Sequence, residues 1–401
     1  MIHICYSIYD GNGRYSKFTG TSMLSMFENT RENVTVHLLH DGTLTSDNRE
    51  KFLATAQKFG QQIKLYDVEK ICAAELAEFR RHYPNLLKHY QAIMYRLWLP
   101  KILDVEVTKI IYLDSDTIIN LDINGLWQIE LNDNVLAAVT ESSNGIDCNF
   151  FFPICHDGFV KAENYFNSGV LVIDVEKFRA AQIKLADALI FVVKHKYLYI
   201  DQDILNYCFA EKTLKLPPKF NSLILQARRQ NNFITENKIC HYAGSSLTLN
   251  CSDAFNKLWL EYFIKSAWFT NPLELIDGIN GAMENFFVDE RNSAIKLSAL
   301  VSGKSRAFFV DADLCEEIIG GLMVKDDEDI IVANSKKSVK KLLSEMLKCE
   351  GKKVFFIAVA FYKELSKILT KAGFVEDVDF VDGMELLPNS NNVSREILKS
   401  L

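Results

Sequence analysis

Hydrophobic runs along the first two thirds of the chain follow two different periods. Short β-branched and aromatic runs predict strands, and segments with a 3.6-residue period predict helices. The predicted strands are residues 2–8, 34–39, 63–66, 109–113, 135–140 and 169–174. The predicted helices are residues 46–59 and 90–102. Strands separated by helices favour a mostly parallel sheet with right-handed crossovers. The pattern therefore predicts an α/β fold with a nucleotide-binding layout.

The pattern restarts after Thr270-Asn271-Pro272, which indicates a second, smaller α/β domain. Its predicted strands are residues 306–310, 330–332 and 353–359, and its predicted helices are 336–348 and 361–372. The last helix ends at Ala372-Gly373, a usual helix stop. We expect domains at residues 1–270 and 271–401. The second carries no glycine-rich phosphate loop and no metal-spaced cluster, so the sequence assigns it no chemistry.

Length and composition agree with two domains of ordinary globular type. The 401 residues exceed what one core usually serves, and 48% are hydrophobic while 24% are charged. A net charge of −7 argues against a nucleic-acid surface or a polybasic membrane anchor. The sequence contains no run of eighteen apolar residues, so it predicts no membrane span. The first eight residues predict a strand rather than a signal peptide.

The cysteines indicate a reducing compartment. There are nine, an odd number without a close CxxC pair, and most lie inside apolar stretches. We therefore expect reduced packing residues in a cytoplasmic protein, without a structural zinc site.

The first candidate for chemistry is Asp114-Ser115-Asp116, which follows the continuous apolar run Lys109–Leu113. Such a run suits a strand that is buried on both faces, and ligands of α/β sheets bind beyond the strand ends. Carboxylates two residues apart can reach one hard cation, which can also touch a diphosphate. The alternative is a surface turn in which Asp114 caps the next segment and Asp116 is solvated.

Four other segments carry candidate residues, and three of them have a structural alternative. His241 ends a short apolar run and could be a third ligand for Mn²⁺, or a structural histidine. Asn167 and Gly169 lie where the chain enters the apolar run Val170–Asp174; Asn167 could bond sugar hydroxyls, and Gly169 permits close approach of a ligand. Asp201-Gln202-Asp203 opens a helix predicted at 204–209, where Asp201 or Asp203 could instead be an N-cap. Arg96 could grip phosphate or be solvated on a helix.

Residues 143–163 predict a long loop with an aromatic group, Phe150-Phe151-Phe152. Loops of this length are often functional, so a lid or an acceptor wall is one interpretation. A packed surface loop is the other.

Taken together, these segments resemble family 8 glycosyltransferases, the retaining enzymes of GT-A fold, over roughly residues 1–265. The resemblance depends on five segments in the family's order and approximate spacing. They are Tyr95-Arg96, Leu113–Asp116, Phe166–Gly169, Asp201–Asn206 and His241–Gly244.

The resemblance implies a role for each candidate residue. Asp114, Asp116 and His241 would ligate Mn²⁺ at the diphosphate of a UDP-sugar. Asn167, Asp201 and Gln202 would surround the donor sugar, with Gln202 nearest the face of the anomeric carbon opposite the leaving group. The residues implied in donor binding are Ser7, Tyr9, Asp10, Arg96, Asp114, Ser115, Asp116, Gly169 and Gly244.

The implied reaction is hexosyl transfer with retention. Gln202 is a poor nucleophile, so front-side attack by the acceptor hydroxyl is favoured, with the departing phosphate taking the proton. Two positions depart from the family. Tyr9-Asp10-Gly11-Asn12 replaces the usual Asp-Asp-Asn-Tyr, and Ser245 to Thr248 stand where a diphosphate-binding Lys is common. Base and phosphate contacts are therefore expected to differ in detail.

The expected donor is UDP-galactose, with glucose as the alternative, because bacterial relatives commonly use galactose. The acidic-to-neutral tail resembles that of relatives that extend glycans on serine-rich adhesins, which favours a cytosolic glycoprotein glycan as acceptor. Two other classes stay open: a sugar nucleotidyltransferase, for which Gly11–Arg14 is a weak glycine-rich echo, and a non-catalytic carbohydrate-binding protein. The oligomeric state is open, a homodimer included.

Overall fold

The structure is a computed structural model that describes residues 1–11, 13–82, 88–197, 199–243, 253–273, 306–310, 353–357, 362–376 and 378–382. The chain divides into two compact units, residues 1–278 with 397–401, and residues 279–396. Each unit is described by itself.

Ten described strands belong to the first unit. They are β1 (Ile2–Ser7), β2 (Val34–His40), β3 (Gln62–Asp67), β4 (Lys109–Leu113), β5 (Thr117–Asn120), β6 (Leu136–Thr140), β7 (Phe166–Asp174), β8 (Thr213–Lys215), β9 (Ser222–Leu223) and β10 (Lys238–His241).

Its described helices are α1 (Arg14–Asn29), α2 (Ser46–Lys58), α3 (Val68–Ile71), α4 (Ala73–His82), α5 (Leu99–Ile102), α6 (Asn124–Trp127), α7 (Cys148–Phe151), α8 (Pro153–His156), α9 (Val175–Ala180), α10 (Gln182–His195), α11 (Ile200–Phe209), α12 (Ile224–Arg229) and α13 (Ala254–Phe263). The 3₁₀ segments are Lys88–Trp98, Ser142–Asn144, Ala162–Asn164, Ala210–Lys212 and Pro218–Phe220.

Seven strands form a mixed, mostly parallel sheet in the order β3-β2-β1-β4-β7-β6-β8. The pairs β2/β3, β1/β2, β1/β4 and β6/β8 are parallel, whereas β7 runs antiparallel to both of its neighbours. Strand β4 is buried on both faces: Ile111 and Leu113 pack into one core, and Ile110 and Tyr112 into the other. The sequence predicted this from a run without polar alternation, and the α/β fold is confirmed.

A second sheet, in the order β5-β10-β9, begins directly after β4. Strand β10 pairs antiparallel with β5, so that His241 lies opposite Thr117, and it pairs parallel with β9. The backbone N–H of Tyr242 donates to the carbonyl of Asp116 over 2.8 Å. This pairing brings the end of β10 to the turn that carries the two aspartates.

The helix predicted at residues 90–102 is wrong in type. The chain forms a 3₁₀ segment over Lys88–Trp98 and then the short helix α5. Pro100 lies in the first turn of α5. A proline has no backbone N–H to donate, so it starts a helix well and continues one poorly.

Two element boundaries near the candidate residues also differ from the predictions. Strand β7 starts at Phe166, so Asn167 and Ser168 lie inside it rather than before it. The side chain of Asn206 accepts from the Phe166 N–H and donates to its carbonyl, both over 2.8 Å, and so extends the strand. Helix α11 starts at Ile200, with Tyr199 at its N-cap, so neither Asp201 nor Asp203 is the N-cap.

The described part of the second unit contains a parallel sheet in the order β11-β12-β13, namely Arg306–Val310, Lys353–Ile357 and Phe380–Asp382. A helix, α14 (Tyr362–Lys371), follows β12. Gly373 adopts a left-handed φ of 91° just past that helix, as expected from the Ala372-Gly373 stop. The predicted elements at 330–332 and 336–348 lie outside the described residues.

Across the segments that the structure describes, no helix combines the length and the hydropathy that crossing a membrane requires.

Candidate active site

Asp114, Asp116 and His241 meet where β4 ends and β10 ends. Their potential ligand atoms all lie within 4.8 Å of one another. His241 Nε2 is 3.3 Å from Asp116 Oδ1 and 3.9 Å from Asp114 Oδ2. The imidazole is buried, whereas the two carboxylates are 26% and 30% exposed. The three residues could hold a metal ion that is approached from the open, carboxylate side.

The electrostatics of this cluster couple its members. Burial is the largest single influence and opposes ionisation of both Asp116 and His241, but their attraction, the hydrogen bond between them and neighbouring charges together outweigh it. The pKa of Asp116 is therefore lowered and the pKa of His241 is raised. The cluster is an ion pair beside a second carboxylate, and that acidic set is suited to a divalent cation.

Arg96 is buried, so the solvated-helix alternative is wrong. Its guanidinium donates to Asp114 Oδ1 over 2.7 Å and to the Ser168 carbonyl over 2.6 Å. Its Nε lies 3.4 Å from Asp201 Oδ2, and it stacks over Tyr112 at 4.2 Å. Burial would lower its pKa, but Asp114 and its other partners raise it. Arg96 therefore ties the aspartate turn to the strand and helix that carry the other candidates.

Gly169 is required by the protein itself. A Cβ atom at this position would lie 2.3 Å from His241 Cε1 and 2.7 Å from Asp114 Oδ2. Its carbonyl also accepts from the Asp114 N–H over 2.7 Å. The sequence predicted that this glycine lets a ligand approach closely, and the structure shows that it admits two of the candidate metal ligands.

Asn167, Gln202 and Glu141 form a buried hydrogen-bond network. Glu141 Oε1 accepts from Asn167 Nδ2 over 2.9 Å and from Gln202 Nε2 over 3.1 Å. The Gln202 Oε1 atom accepts from the Ser168 N–H over 3.0 Å, and Nε2 also contacts the Tyr165 hydroxyl at 3.3 Å. Both ends of the Gln202 amide are therefore held by protein groups.

Glu141 was not identified from the sequence, although a signal for it exists. It directly follows the apolar strand β6, as Asp114 follows β4. Its Oε2 atom is buried without a hydrogen-bond partner. Burial raises the pKa of Glu141, while hydrogen bonds from Asn167 and Gln202 act in the opposite direction.

The two aspartates of the Asp201-Gln202-Asp203 segment have different surroundings. Asp201 Oδ2 accepts from Ser168 Oγ over 3.1 Å. Burial raises its pKa, and Arg96 opposes that shift. Asp203 accepts from the Tyr165 hydroxyl over 2.8 Å and from the Tyr199 N–H over 3.1 Å. Burial raises the pKa of Asp203 to about 7.

Seven of the polar residues described above line one cavity of about 390 Å³, a size usual for small-molecule sites. Asp114, Asp116 and His241 lie on its wall, and so do Asn167, Ser168, Gln202 and Glu141. Apolar side chains from three other segments complete it. They are Ile146, Phe152, Tyr199, Leu223, Ile224 and Leu225.

The segment at 143–163 forms part of this wall. Phe150 and Phe152 are buried, and Phe152 stacks on Tyr165 at 4.2 Å between ring centroids. Short helices α7 and α8 replace the predicted loop. Phe150 is therefore packed, Phe152 lines the cavity, and the role of this segment as an acceptor wall stays a prediction.

Ser7, Tyr9 and Asp10, which the resemblance implies in donor binding, lie at the end of β1 and just after it. Asp10 is buried, and its carboxylate accepts from Ser16 N over 2.9 Å, from Asn48 Nδ2 over 2.8 Å and from the Ser16 hydroxyl. The Asp10 side chain thus holds the start of α1. Ser115 Oγ accepts from Thr19 over 2.8 Å and donates to the Ser7 carbonyl over 3.4 Å. Tyr9 is partly buried.

Gly244 lies outside the described residues, and so does the segment from Ser245 to Thr248 that replaces the family's common diphosphate-binding Lys.

A turn that carries two carboxylates at the end of a central strand of a mixed sheet, beside a cavity with polar amides, is the layout of a GT-A glycosyltransferase. The family model "Glycosyl transferase family 8" matches residues 7–246. The chain belongs to glycosyl transferase family 8.

Curated relatives are distant and differ in coverage. General stress protein A of Bacillus subtilis is 25% identical over 293 residues, which cover 68% of this chain and 97% of that protein. Lipopolysaccharide 1,2-glucosyltransferase of Escherichia coli K12 is 28% identical over 174 residues, 39% of this chain and 48% of the relative.

Among solved structures, an active-site mutant of LgtC superposes with a TM-score of 0.52 at 21% identity, covering 68% of this chain and 98% of that one. This likeness supports the fold alone.

Proposed function

We propose that this chain is a retaining hexosyltransferase that moves a hexose from a UDP-sugar to a hydroxyl of a glycan acceptor, with Mn²⁺ bound at the donor diphosphate. The observation that carries the proposal is the cluster of Asp114, Asp116 and His241 on the wall of the cavity. Membership of family 8 supports glycosyl transfer and a nucleotide-sugar donor.

The residues present fit a divalent cation. Two carboxylates and one imidazole suit Mn²⁺ or Mg²⁺, and the carboxylates are open towards the cavity whereas His241 Nε2 already faces them. A cation bound here would offset the negative charge that grows on the departing diphosphate. Arg96 would orient Asp114 rather than meet the phosphate, because its guanidinium is occupied by Asp114, Ser168 and Asp201.

The contacts of Gln202 favour front-side attack over double displacement. An amide is a poor nucleophile, and Gln202 Oε1 already accepts from the Ser168 N–H. In the favoured reaction the acceptor oxygen bonds to the anomeric carbon as the bond from that carbon to the diphosphate oxygen breaks. The acceptor proton passes to the departing phosphate. Glu141 Oε2, an unpaired acceptor oxygen beside the cavity, would offset the positive charge that develops on the sugar.

The donor sugar is proposed at the level of galactose or glucose. The sequence favoured galactose, whereas curated relatives from Escherichia coli are named as glucosyltransferases. We therefore treat UDP-galactose and UDP-glucose as the two donors to compare. For the base, Tyr9 and the backbone of the Ser7 region are better candidates than the Asp10 carboxylate, which holds Ser16 and Asn48.

A cytoplasmic glycoprotein glycan stays our proposed acceptor. The described cysteines that are free thiols, all of them buried, suit a reducing compartment. We propose that the second unit binds the acceptor or a partner protein. A chain ending at residue 278 should keep hydrolysis of the donor and lose transfer to the acceptor. Full transfer by that shortened chain would refute the role of the second unit.

The proposed function is tested by UDP release from UDP-galactose, UDP-glucose and UDP-N-acetylglucosamine, with Mn²⁺ and with EDTA. We expect Mn²⁺-dependent release with a hexose donor, and a loss of about 10³-fold in Asp116→Ala. Asp104→Asn is the matched control, because Asp104 forms an exposed ion pair with Lys64 and does not line the cavity. Release that persists in Asp116→Ala would reject the metal role.

The same assay separates the competing classes. A nucleotidyltransferase would form a UDP-sugar and pyrophosphate from a sugar phosphate and UTP. A carbohydrate-binding protein without turnover would bind the donor and release no UDP. Preference for the N-acetylhexosamine donor would overturn the hexose assignment.

A further inference from the structure

Asn221 lies behind the metal cluster and has no sequence feature that marks it. It follows the 3₁₀ segment Pro218–Phe220 and directly precedes β9, the strand that pairs with β10. Its side chain is completely buried. Asn221 lies two residues before Leu223, the β9 residue that pairs with His241.

The Asn221 amide is bonded at both ends. Its Oδ1 is 2.9 Å from His241 Nδ1, the ring nitrogen on the opposite side from the carboxylates. Its Nδ2 donates to Asn167 Oδ1 over 2.8 Å. Asn167 Nδ2 in turn donates to Glu141 Oε1 over 2.9 Å. A continuous chain of hydrogen bonds therefore runs from Glu141 to His241.

The direction of this chain is determined by two groups that cannot exchange roles. The Gly169 backbone N–H can only donate, and it donates to Asn167 Oδ1 over 2.9 Å. At the other end of the Asn167 amide, the Glu141 carboxylate accepts. Asn167 Oδ1 is therefore the acceptor side, and Asn221 must present its Nδ2 to it. The remaining end of Asn221 is its carbonyl oxygen, so His241 Nδ1 must carry the hydrogen.

We propose that Asn221 is a positioning residue for the metal centre. By keeping a hydrogen of His241 on Nδ1, it makes Nε2 the nitrogen that gives up its hydrogen to solvent and presents its lone pair when a cation binds beside Asp114 and Asp116. A ligand histidine is commonly held in this way by a hydrogen bond to its other nitrogen. Here the partner is an amide whose own orientation is set by Asn167, a residue on the donor-sugar side of the cavity. The inference rests on the proposed metal role of His241.

The test compares Asn221→Leu with Asn221→Asp in the full-length protein. Leucine is similar in size and removes both hydrogen bonds, whereas aspartate keeps an acceptor for His241 Nδ1. We expect the Kd for Mn²⁺, measured by electron paramagnetic resonance with the metal alone, to rise by about 10–100-fold in Asn221→Leu. Asn221→Asp should stay near wild type. At saturating Mn²⁺, Asn221→Leu should recover its kcat and keep a raised apparent KM for the metal.

Asn29→Leu is the matched control. Asn29 also loses hydrogen bonds on substitution, to Ser25, Ile119 and Tyr262, but it lies at the end of α1. It should lower the melting temperature without changing the Kd for Mn²⁺. A folded Asn221→Leu protein with wild-type Mn²⁺ affinity would overturn the inference.

The tautomer is measured separately, without any metal and at a pH where the imidazole is neutral, by long-range ¹H–¹⁵N correlation of ¹⁵N-histidine protein, with His241→Gln to assign the signal. We expect hydrogen on Nδ1 in wild type and in Asn221→Asp, and a shifted tautomer in Asn221→Leu. Hydrogen on Nε2 in wild type would overturn the inference. If wild type binds no Mn²⁺, the proposed metal role fails, and this measurement still decides what Asn221 does to His241.

Discussion

Two polar clusters border the seven-stranded sheet and differ in charge. One, the histidine cluster, crosses β1, β2 and β3: His3 Nδ1 is 2.9 Å from His37 Nε2, and His37 Nδ1 is 3.1 Å from the Tyr66 hydroxyl. Burial, followed by the charges of His3 and Lys64, lowers the pKa of His37 to about 3. The histidine cluster is therefore neutral, and each His37 nitrogen has a protein partner.

The other is the aspartate cluster of Asp114, Asp116 and His241, which keeps charge. His241 is as buried as His37, and burial alone would lower its pKa, yet the pKa moves upward because Asp116, Asp114 and Glu141 together outweigh burial. Its carboxylates stay partly exposed to the cavity, and Glu141 beside it keeps an unpaired oxygen. A structural cluster satisfies its own polar groups, whereas a site retains charge that a ligand can satisfy. Retained charge therefore distinguishes the candidate functional cluster from the structural one.

The largest effect should come from Gly169→Ala, which forces a Cβ atom against His241 and Asp114. We expect turnover to fall by about 10²-fold, because displacing aligned groups by about 1 Å has effects of that size. The free energy of unfolding should fall by about 1–3 kcal/mol from overpacking. UDP release, Mn²⁺ binding and thermal melting measure the three effects.

The matched control is Gly125→Ala in α6, where a Cβ atom would meet no heavy atom within 4 Å. That variant should keep wild-type turnover and stability, or gain slightly in stability. Wild-type turnover in Gly169→Ala would show that the aspartate cluster tolerates displacement.

Glu141→Gln should separate function from stability. It removes a buried charge with one unpaired oxygen and keeps an acceptor for Asn167 and Gln202. We expect kcat to fall by about 10–10²-fold, because the charge facing the developing positive sugar is lost. The melting temperature at pH 8 should rise. A variant that is less stable and equally active would assign Glu141 a purely structural role.

Asp203→Asn should change how stability depends on pH. The folded pKa of Asp203, about 7, exceeds the usual unfolded value of about 3.9. The folded state then binds more protons between these values, so its stability falls as pH rises from about 4 to about 7. Asparagine mimics the protonated acid. Urea unfolding at pH 5 and pH 8 should show a smaller decrease in the variant, and parallel curves would contradict the assignment.

The smallest effect on activity is expected for His37→Gln. His37 changes folding stability with pH in the direction opposite to Asp203. The folded pKa of His37, about 3, lies below the unfolded value of about 6.5. The unfolded state binds more protons between them, so stability falls as pH decreases. The variant should lose about 1–2 kcal/mol at pH 7 and less on acidification, with unchanged UDP release. A wild-type acid response would show that His37 titrates normally.

Much of the fold followed from local pattern. The run Lys109–Leu113 predicted β4 with its observed bounds, because a strand buried on both faces needs continuous apolar residues. The 3₁₀ segment before Pro100 and the early start of β7 at Phe166 did not follow. The early start of β7 depends on Asn206, forty positions away, whose side chain forms hydrogen bonds with Phe166 at the strand end.

The candidate site shows the same division. Asp114, Asp116 and His241 were selected as metal ligands because they end apolar runs, and the structure brings them together. Their roles as ligands stay predictions. Glu141 carried the same local signal and was missed. For Arg96 the sequence left two interpretations, a phosphate contact and a solvated side chain, because one arginine in a predicted helix gives no information about burial.

By itself the sequence determined the alternating strands and helices, the buried strand that ends at Asp114, and the family to which the motifs belong. Only the tertiary structure decided that Arg96 is buried between two aspartates, that Gly169 makes room for His241, and that Asn221 bonds its Nδ1. The reason is that strand formation depends on neighbours in sequence. Burial, ion pairing and the direction of a hydrogen bond depend on which distant residues the fold places within about 3 Å.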